Sequence, residues 1–591
     1  MDTLIQDVRV ALRSFRRSPG FALTAITTLA LGIGATTAIF TALSAVLLKP
    51  LPYPHAEDLY SLRTTLTDGR VTTGLLSGGE LVRSKDPTAN IARVAGYNTG
   101  DLTLLADDGT PTHVQVFGVS EGFFELFGLP LTVGGYSAQD FQPVQPQTNG
   151  QQQQGPLPRI IISQRIWKSR YNSDRDIVGK PIHFAELTTS IAGVAPRDFD
   201  IPHGGDFWFA QPIRPADVGH NFTAFMRLKP GATLARAAAE QAAIMQSLAV
   251  DYPSADRGRA FVSRPLVDAI VGDLGPILII VMSATELLLL LACVNVGNLL
   301  LARGAARARE MAVRAALGAG WGRLVRQLLT ESLVLAAAGT VAGVALGTLG
   351  LRVLLAIGAS RLPRLDAVQF DGRALIFAIA MLLVTGTIIG LAPAMRLARG
   401  DMKALMNDSS RSASAGRGTT RWLMSTTVAE VALAIMLLAG AGWLVRGFAN
   451  LRRTDAGFVP DKRVVFDVAL RGEQFRTVAG LQQGQNELTE VLRRIPGVSN
   501  AGLMSAYPLR GSQENVLLLQ LNGEAFDPTK PSNTAQRFIG PGGFAAMGSS
   551  IIKGRDFQVS DVPTSVRVAI VNKTFADRYL AGRDPIGAQF T

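Results

Sequence analysis

The chain has 591 residues, 58 Lys plus Arg against 46 Asp plus Glu, a net charge of +12, and 18% charged against 47% apolar residues. This balance excludes a disordered polyelectrolyte, which needs low hydrophobicity and dense charge, and a length prior suggests about four structural units. The single cysteine, Cys293, excludes internal disulfides and multi-cysteine zinc or iron–sulfur sites.

The first 20 residues place Leu4, Val8, Leu12 and Phe15 on one helical face and Arg9, Arg13, Arg16 and Arg17 on the other. That pattern predicts a basic amphipathic helix lying on the inner membrane surface, broken by Pro19-Gly20. Between Arg17 and Lys49 follow 31 residues without a charge, enough to cross a bilayer. The stretch is too long for a signal-peptide core and lacks an A-x-A site, so residues 21–48 read as a retained first span. Residues 49–273 read as a mixed α+β domain. Strand-like runs fall at 112–119, 159–162 and 188–194, where β-branched residues cluster between turn residues. Residues 235–248 are Ala-rich and helical, and the Gln/Pro tract 139–158 is a solvated loop.

Four further spans follow. They are 274–302, with the single charge Glu286; 332–351 and 374–395, with none; and 422–445, with Glu430. A carboxylate at membrane depth must face protein or water; an interhelical hydrogen bond suits Glu430, and Glu286 lies deeper. Gly339, Gly343 and Gly347 make a small-x-x-x-small face on the third span, and Gly386 with Gly390 on the fourth. Arg303, Arg307, Arg309, Arg314, Arg323 and Arg326 follow span two, and Arg396, Arg399, Lys403, Arg411, Arg417 and Arg421 follow span four. These clusters and the N-terminal arginines share one side if the N-terminus is cytoplasmic. Segments 49–273 and 446–591 then lie outside. The positive charge is thus a topology signal, with no nucleic-acid partner. The fold class is a membrane protein: an α-helical transmembrane bundle with two α+β extracytoplasmic domains.

The chain repeats itself. Phe124, Gly128 and Gly134 recur as Phe544, Gly548 and Gly554. Arg159, Ile162, Trp167, Arg170, Tyr171, Asp176 and Gly179 recur as Arg567, Ile570, Phe575, Arg578, Tyr579, Asp584 and Gly587. The first block is offset by 420 and the second by 408, the difference falling in the Gln/Pro tract. Extending the repeat predicts a full protein of roughly 800 residues with about eight spans, its second outer domain being incomplete here.

The sequence carries no G-x-x-x-x-G-K-[ST] phosphate cradle, no H-E-x-x-H and no G-x-S-x-G elbow. His55, His113, His183, His203 and His220 are scattered without ligand spacing and read as isolated surface residues. No catalytic, cofactor-binding or metal residue is therefore assigned. An intramembrane enzyme ranks last, because no nucleophile–base pair is visible. The loop 303–331 is more specific. Beyond Gly318, Gly320 and Gly322, residues Trp321, Leu324, Val325 and Leu328 form an apolar face against Arg323, Arg326, Gln327 and Glu331. This predicts a short exposed amphipathic helix that docks a partner.

The run EMAVRAALGA at 310–319 resembles the E-I-G-[IL]-R-[KM]-A-[LV]-G-A signature after the second span of MacB/FtsX-like permeases of ABC transporters. The run at 385–408 resembles their last-span ending, matching at Gly390, Pro393, Ala394, Arg396, Asp401, Ala404 and Leu405, with Met402 where the family has proline. The opening LRSFRRSPGF resembles the duplicated orphan permease subgroup, and residues 428–448 look like the start of its second unit. The resemblance implies a MacB-periplasmic-core-like outer domain and a multi-pass protein of the bacterial inner membrane. It implies no cofactor in this chain, ATP being bound by a separate ABC ATPase subunit. Permease units would work in pairs, by internal duplication or dimerisation. The coupling element would comprise Glu310, Arg314, Gly318, Trp321, Arg323, Leu324, Arg326 and Leu328. ATP-driven closure there would move the outer domain, and substrate would be taken on the extracytoplasmic side. The alternative is a non-transporting transmitter that regulates an extracytoplasmic partner protein, a cell-wall hydrolase.

Overall fold

The computed structural model describes residues 2–67, 74–106, 108–142, 159–185, 187–217, 219–256, 258–272, 274–306, 321–358, 368–398, 417–468, 470, 473–505, 515–519, 532–562 and 565–590. Two compact units emerge: Met1–Pro50 with Ile270–Thr454, and Leu51–Ala269 with Asp455–Thr591. The first is helical. Helix α1 (Asp2–Arg16) is followed by α2 (Pro19–Leu43), which starts with Pro19 at a position where a missing N–H costs nothing. α2 ends in a π-turn, Ser44–Leu48, before extended Lys49. Its threonines return their hydroxyls to the backbone one turn earlier, as Thr36 Oγ1 does to Gly32 O at 2.8 Å and Thr41 Oγ1 to Thr37 O at 2.7 Å. In a medium without water, that removes the donors that would otherwise stay unsatisfied.

The second unit is built on a ten-stranded sheet. In chain order it comprises β1 (Leu59–Leu66), α3 (Gly78–Ser84), β2 (Ile91–Leu105), β3 (Pro111–Val119), α4 (Phe123–Phe127) and β4 (Val133–Gly134). Then come β5 (Ile160–Ile162), α5 (Gln164–Tyr171), β6 (Pro181–His183), β7 (Thr188–Val194), β8 (Phe207–Ala210) and β9 (Thr223–Leu228). α6 (Leu234–Asp251), α7 (Pro253–Asp256), β10 (Arg259–Pro265) and α8 (Leu266–Val271) complete it. The order across the sheet is β10-β1-β9-β2-β3-β8-β5-β7-β4, with β6 on β7. Pairing is antiparallel except β3 with β8 and β5 with β7. The three strand runs expected from β-branched clusters are β3, β5 and β7, and the Ala-rich run is α6. The Gln/Pro tract from 143 to 158 lies outside the described residues.

The core of this domain is aromatic. α4 is five residues long and bounded by Gly122 and Gly128, both left-handed, at φ 79° and 72°. That tight turn drives Phe123, Phe124 and Phe127 inward against Phe199, Phe225 and Trp208. The Phe124–Phe199 and Phe123–Phe127 ring centroids lie 5.1 and 5.4 Å apart. These tilted and edge-on pairs are the arrangements the ring quadrupoles favour.

The helical unit resumes with α9 (Leu274–Ala306), α10 (Trp321–Gly358), α11 (Gly372–Ala398) and α12 (Arg417–Arg453). Together with α2, each contains a segment long and apolar enough to cross a membrane. The predicted small-residue face works at close range. A Cβ on Gly343 would sit 2.8 Å from Ala30 O and one on Gly347 2.7 Å from Gly34 O, so α10 meets α2 backbone to backbone. Gly386 lets α11 approach α10, where a Cβ would sit 2.6 Å from Leu333 Cδ2 and where Ser332 Oγ donates to Gly386 O at 2.8 Å. α12 is exposed along most of its length, with Trp443 at 84%.

The repeat is visible in backbone geometry. α13 (Val478–Arg493), β11 (Asn515–Leu519), β12 (Ser532–Gln536), α14 (Gly543–Met547) and α15 (Lys573–Tyr579) follow α12. α14 is bounded by Gly542 and Gly548 at φ 80° and 73°, as α4 is by Gly122 and Gly128. In both copies an arginine Nε donates to the same helical carbonyl position, Arg227 to Leu126 O at 2.6 Å and Arg463 to Ala546 O at 2.8 Å. Trp167 and its counterpart Phe575 are both buried. The copies differ at β5, whose counterpart 568–570 forms no strand. β5 takes its pairing from β7 and β8, both later in the first copy than the stretch that recurs.

Candidate functional site

The predicted docking helix is not a separate short element. It is the first turns of α10, which runs unbroken from Trp321 to Gly358. Apolar periodicity simply continues from the amphipathic segment into the span, so nothing stops the helix between them. Glu310, Arg314 and Gly318 lie outside the described residues, as do the side chains of Trp321 and Leu324. Arg323 is exposed and Leu328 half-buried.

Arg326, expected on the polar face, keeps a 42% exposed side chain and also pairs with α1. Its Nε donates to Asp7 Oδ2 of α1 at 3.0 Å, with Asp7 only 11% exposed. Glu331, expected on the polar face, is buried at 5% exposure and accepts from Gln327 Nε2 at 3.4 Å. At the other end of the same loop, Arg303 Nη2 donates to Ser14 O at 2.8 Å, to Ser14 Oγ at 3.0 Å and to Ser18 Oγ. Its guanidinium also lies 4.7 Å from the Phe21 ring centroid, where a cation is attracted to the ring face. Both ends of the segment between α9 and α10 thus grip α1. This revises the reading of α1 itself. The buried face is Asp7, Ala11, Ser14 and Phe15, while Leu12 is exposed at 51% together with Ile5. The helix thus turns a mixed face, in which Phe15 and Ala11 join the hydrophobic cluster, to the bundle and leaves Ile5 and Leu12 exposed.

The two intramembrane carboxylates differ. Glu430 Oε1 accepts from Asn298 Nδ2 at 2.9 Å, tying α12 to α9. Glu286 is exposed on α9. In the sheet domain, a groove of about 610 Å³ opens at β2, β3 and β8, with Asn98, Asp101, Gln211, Arg214 and Asp217 among its polar lining. Gly118 makes that space, because a Cβ there would collide with Gln211 and Asn98.

Four histidines are exposed, as expected, but His220 is not. Its side chain is 13% exposed and faces the buried carboxyls of Glu80 and Asp256. Burial, and then the neighbouring Glu80 carboxyl, push Asp256 up to about 7, and Arg259 pulls it partly back. Sequence reading missed this group because its members come from α3, the β8–β9 connection and α7. The available signal was weak: S-G-G-E at 77–80 is a capping-box pattern, which fixes where Glu80 points.

Residues 22–244 match the MacB-like periplasmic core domain, and residues 282–402 match the FtsX-like permease C-terminal domain. The first match runs from α2 into α6, and the second covers most of α9 through α11. The pyoverdine export ATP-binding/permease protein PvdT of Pseudomonas syringae pv. tomato is 38% identical over 124 residues, covering 21% of this chain and 18% of that protein. Its namesake in Pseudomonas aeruginosa is 36% identical over 124 residues, with the same 21% and 18% coverage. The chain therefore matches about a fifth of the length of these curated relatives. The periplasmic region of MacB from Actinobacillus actinomycetemcomitans aligns at 14% identity and TM-score 0.26, covering 37% of this chain and 93% of that one.

Proposed function

This chain belongs to the MacB/FtsX-like permease family, and from that premise we propose that it is the membrane permease subunit of an ABC transporter, driven by a separate ATPase. The observation that carries the reading is the order of the two matched domains. A core domain is inserted between the first two membrane helices, and an FtsX-like bundle follows. The curated relatives named above are ATP-binding/permease proteins for export; the glycine-rich lysine loop that cradles a triphosphate does not occur in these 591 residues, and the proposal assigns ATP binding to a separate subunit. In this reading the N-terminus, the α9–α10 segment and the α11–α12 segment face the cytoplasm of a bacterial inner membrane, because arginine and lysine concentrate there. The ATPase docks on residues 303–331. Its movement reaches α1 through Arg303 and Arg326, and reaches the sheet domain along α2 and α9, between which that domain is inserted. Substrate is taken by the sheet domain on the extracytoplasmic side.

Co-purification tests this. With an ABC ATPase subunit expressed alongside it, the chain should retain that subunit and raise its turnover. Leu324→Asp should abolish both while membrane insertion is unchanged. Full retention and full stimulation by the Leu324→Asp protein would refute the docking assignment, and ATP hydrolysis by the purified chain alone would refute the division of labour.

A further inference from the structure

Within the sheet domain, Glu80, His220 and Asp256 meet in a pocket that the permease reading does not use. Each offers one ligand atom, and the three atoms lie within 4.8 Å of one another. Glu80 is fully buried and Asp256 is 1% exposed. Glu80 is aimed by the capping box of α3: its Oε2 accepts from Ser77 N at 2.7 Å while Ser77 Oγ accepts from Glu80 N at 3.1 Å. That leaves Oε1 pointing at the other two residues. The loop carrying His220 is pinned to the strand bridge beside it, with Asn221 N and Phe222 N both donating to Leu76 O at 3.1 and 3.0 Å. Asp256 is held by its own N–H, which donates to Tyr252 O at 3.0 Å.

Glu80 Oε1, His220 Nε2 and Asp256 Oδ1 are buried and have no hydrogen-bond partner among the described residues. Leaving such groups unpaired is costly, because each has given up its hydration without gaining a partner. His220 Nε2 is 3.5 Å from Glu80 Oε1 and 3.9 Å from Asp256 Oδ1, too far for hydrogen bonds. Ligand atoms held about 2.0–2.2 Å from one ion stand roughly 3.3–3.8 Å apart in tetrahedral or trigonal geometry. The two His220 separations are close to those around a shared ion; without the ion, a hydrogen bond between the Glu80 and Asp256 side chains favours a proton on Asp256, which metal binding would displace. The donor set, one imidazole and two carboxylates, suits zinc and similar first-row divalent ions. The flanking charge is compatible: Arg259 is the cation beside two carboxylates, so the pocket is net negative when His220 is neutral.

We propose that Glu80, His220 and Asp256 bind a divalent transition-metal ion of the zinc class, which fastens α3, the β8–β9 connection and α7 together. The site is structural in character, and independent of the permease assignment.

The test uses the full-length protein in detergent, stripped with chelator, with zinc and cobalt(II) as probes. One zinc per chain should bind and raise the melting temperature, and cobalt(II) should give the visible absorption of a low-coordinate nitrogen–oxygen site. Glu80→Gln, His220→Gln and Asp256→Asn should each weaken binding by at least about 10- to 100-fold. His220→Cys keeps a ligand and should add a thiolate-to-cobalt charge-transfer band, a readout that does not depend on the disrupted variants folding. Absence of zinc binding by the stripped wild-type protein would overturn the proposal. So would unchanged affinity in folded Glu80→Gln and Asp256→Asn proteins, or a His220→Cys–cobalt spectrum without the new band.

Discussion

Replacing Gly343 by alanine probes the contact that joins α2 to α10. The new Cβ would sit 2.8 Å from Ala30 O and 3.0 Å from Gly34 N. Both are backbone atoms, so no side-chain rotation relieves the overlap. The helices must part by about 0.5 Å, which forfeits about a quarter of the dispersion attraction along the seam, and overpacking of this kind costs about 1–3 kcal/mol. Alanine returns about 1 kcal/mol through its helix propensity. The net expectation is a loss of about 0–2 kcal/mol for Gly343→Ala, and a larger loss for Gly343→Leu. Gly350 lies on the same helix with no atom within 4 Å of a Cβ, so Gly350→Ala should be neutral or stabilising by up to about 1 kcal/mol. Titrating the purified proteins with a denaturing detergent and following helix loss would rank them. Equal stability for Gly343→Ala and Gly350→Ala would refute backbone contact between α2 and α10.

Arg303→Ala should release α1, seen as rapid amide exchange over residues 2–16, because the arginine supplies contacts to Ser14 and Ser18 at once; unchanged exchange would discount the clamp. In intact cells, an impermeant thiol reagent should label Asp108→Cys and spare Arg17→Cys, with little background from buried Cys293; the reverse pattern would invert the topology. Asp256 is raised to about 7 from an ordinary value of 3.8, so the metal-free fold binds a proton there that the unfolded chain has lost. Its contribution to stability is full below pH about 4 and declines as the pH rises toward about 7. With His220, Glu80 and Arg259 facing it, the comparison of wild type with Asp256→Asn across that window isolates the effect; parallel stability curves would contradict it.

Much of the architecture was legible in the sequence because its signals are local. Apolar runs of span length, with at most one charge each, became α2, α9, α10, α11 and α12. Glycines at four-residue spacing marked the tight helix contact, although only the structure shows that Gly343 faces Ala30. The recurring Gly-bounded Phe motif reappeared as α4 and α14 with the same left-handed caps. What failed was non-local. Arg303 read only as a topology marker and Arg326 only as part of a polar face, because their partners, Ser14 and Asp7, lie far away in the chain. Asp7 was the overlooked signal, an acidic residue in a helix otherwise rich in arginine. His220 looked isolated for the same reason, its neighbours being supplied by two other segments of the sheet domain.

If the chain is the permease driven by a separate ATPase, ATP binding to that subunit should change the state of the sheet domain. Hydrogen exchange of residues 51–269 in the reconstituted complex, compared between the nucleotide-free state and an ATP-bound state of a hydrolysis-deficient ATPase, tests it most directly. Protection should change in the sheet domain and across residues 2–16, and Leu324→Asp should abolish both changes. An ATPase that binds the chain and nucleotide, yet leaves exchange across 51–269 identical, would contradict it.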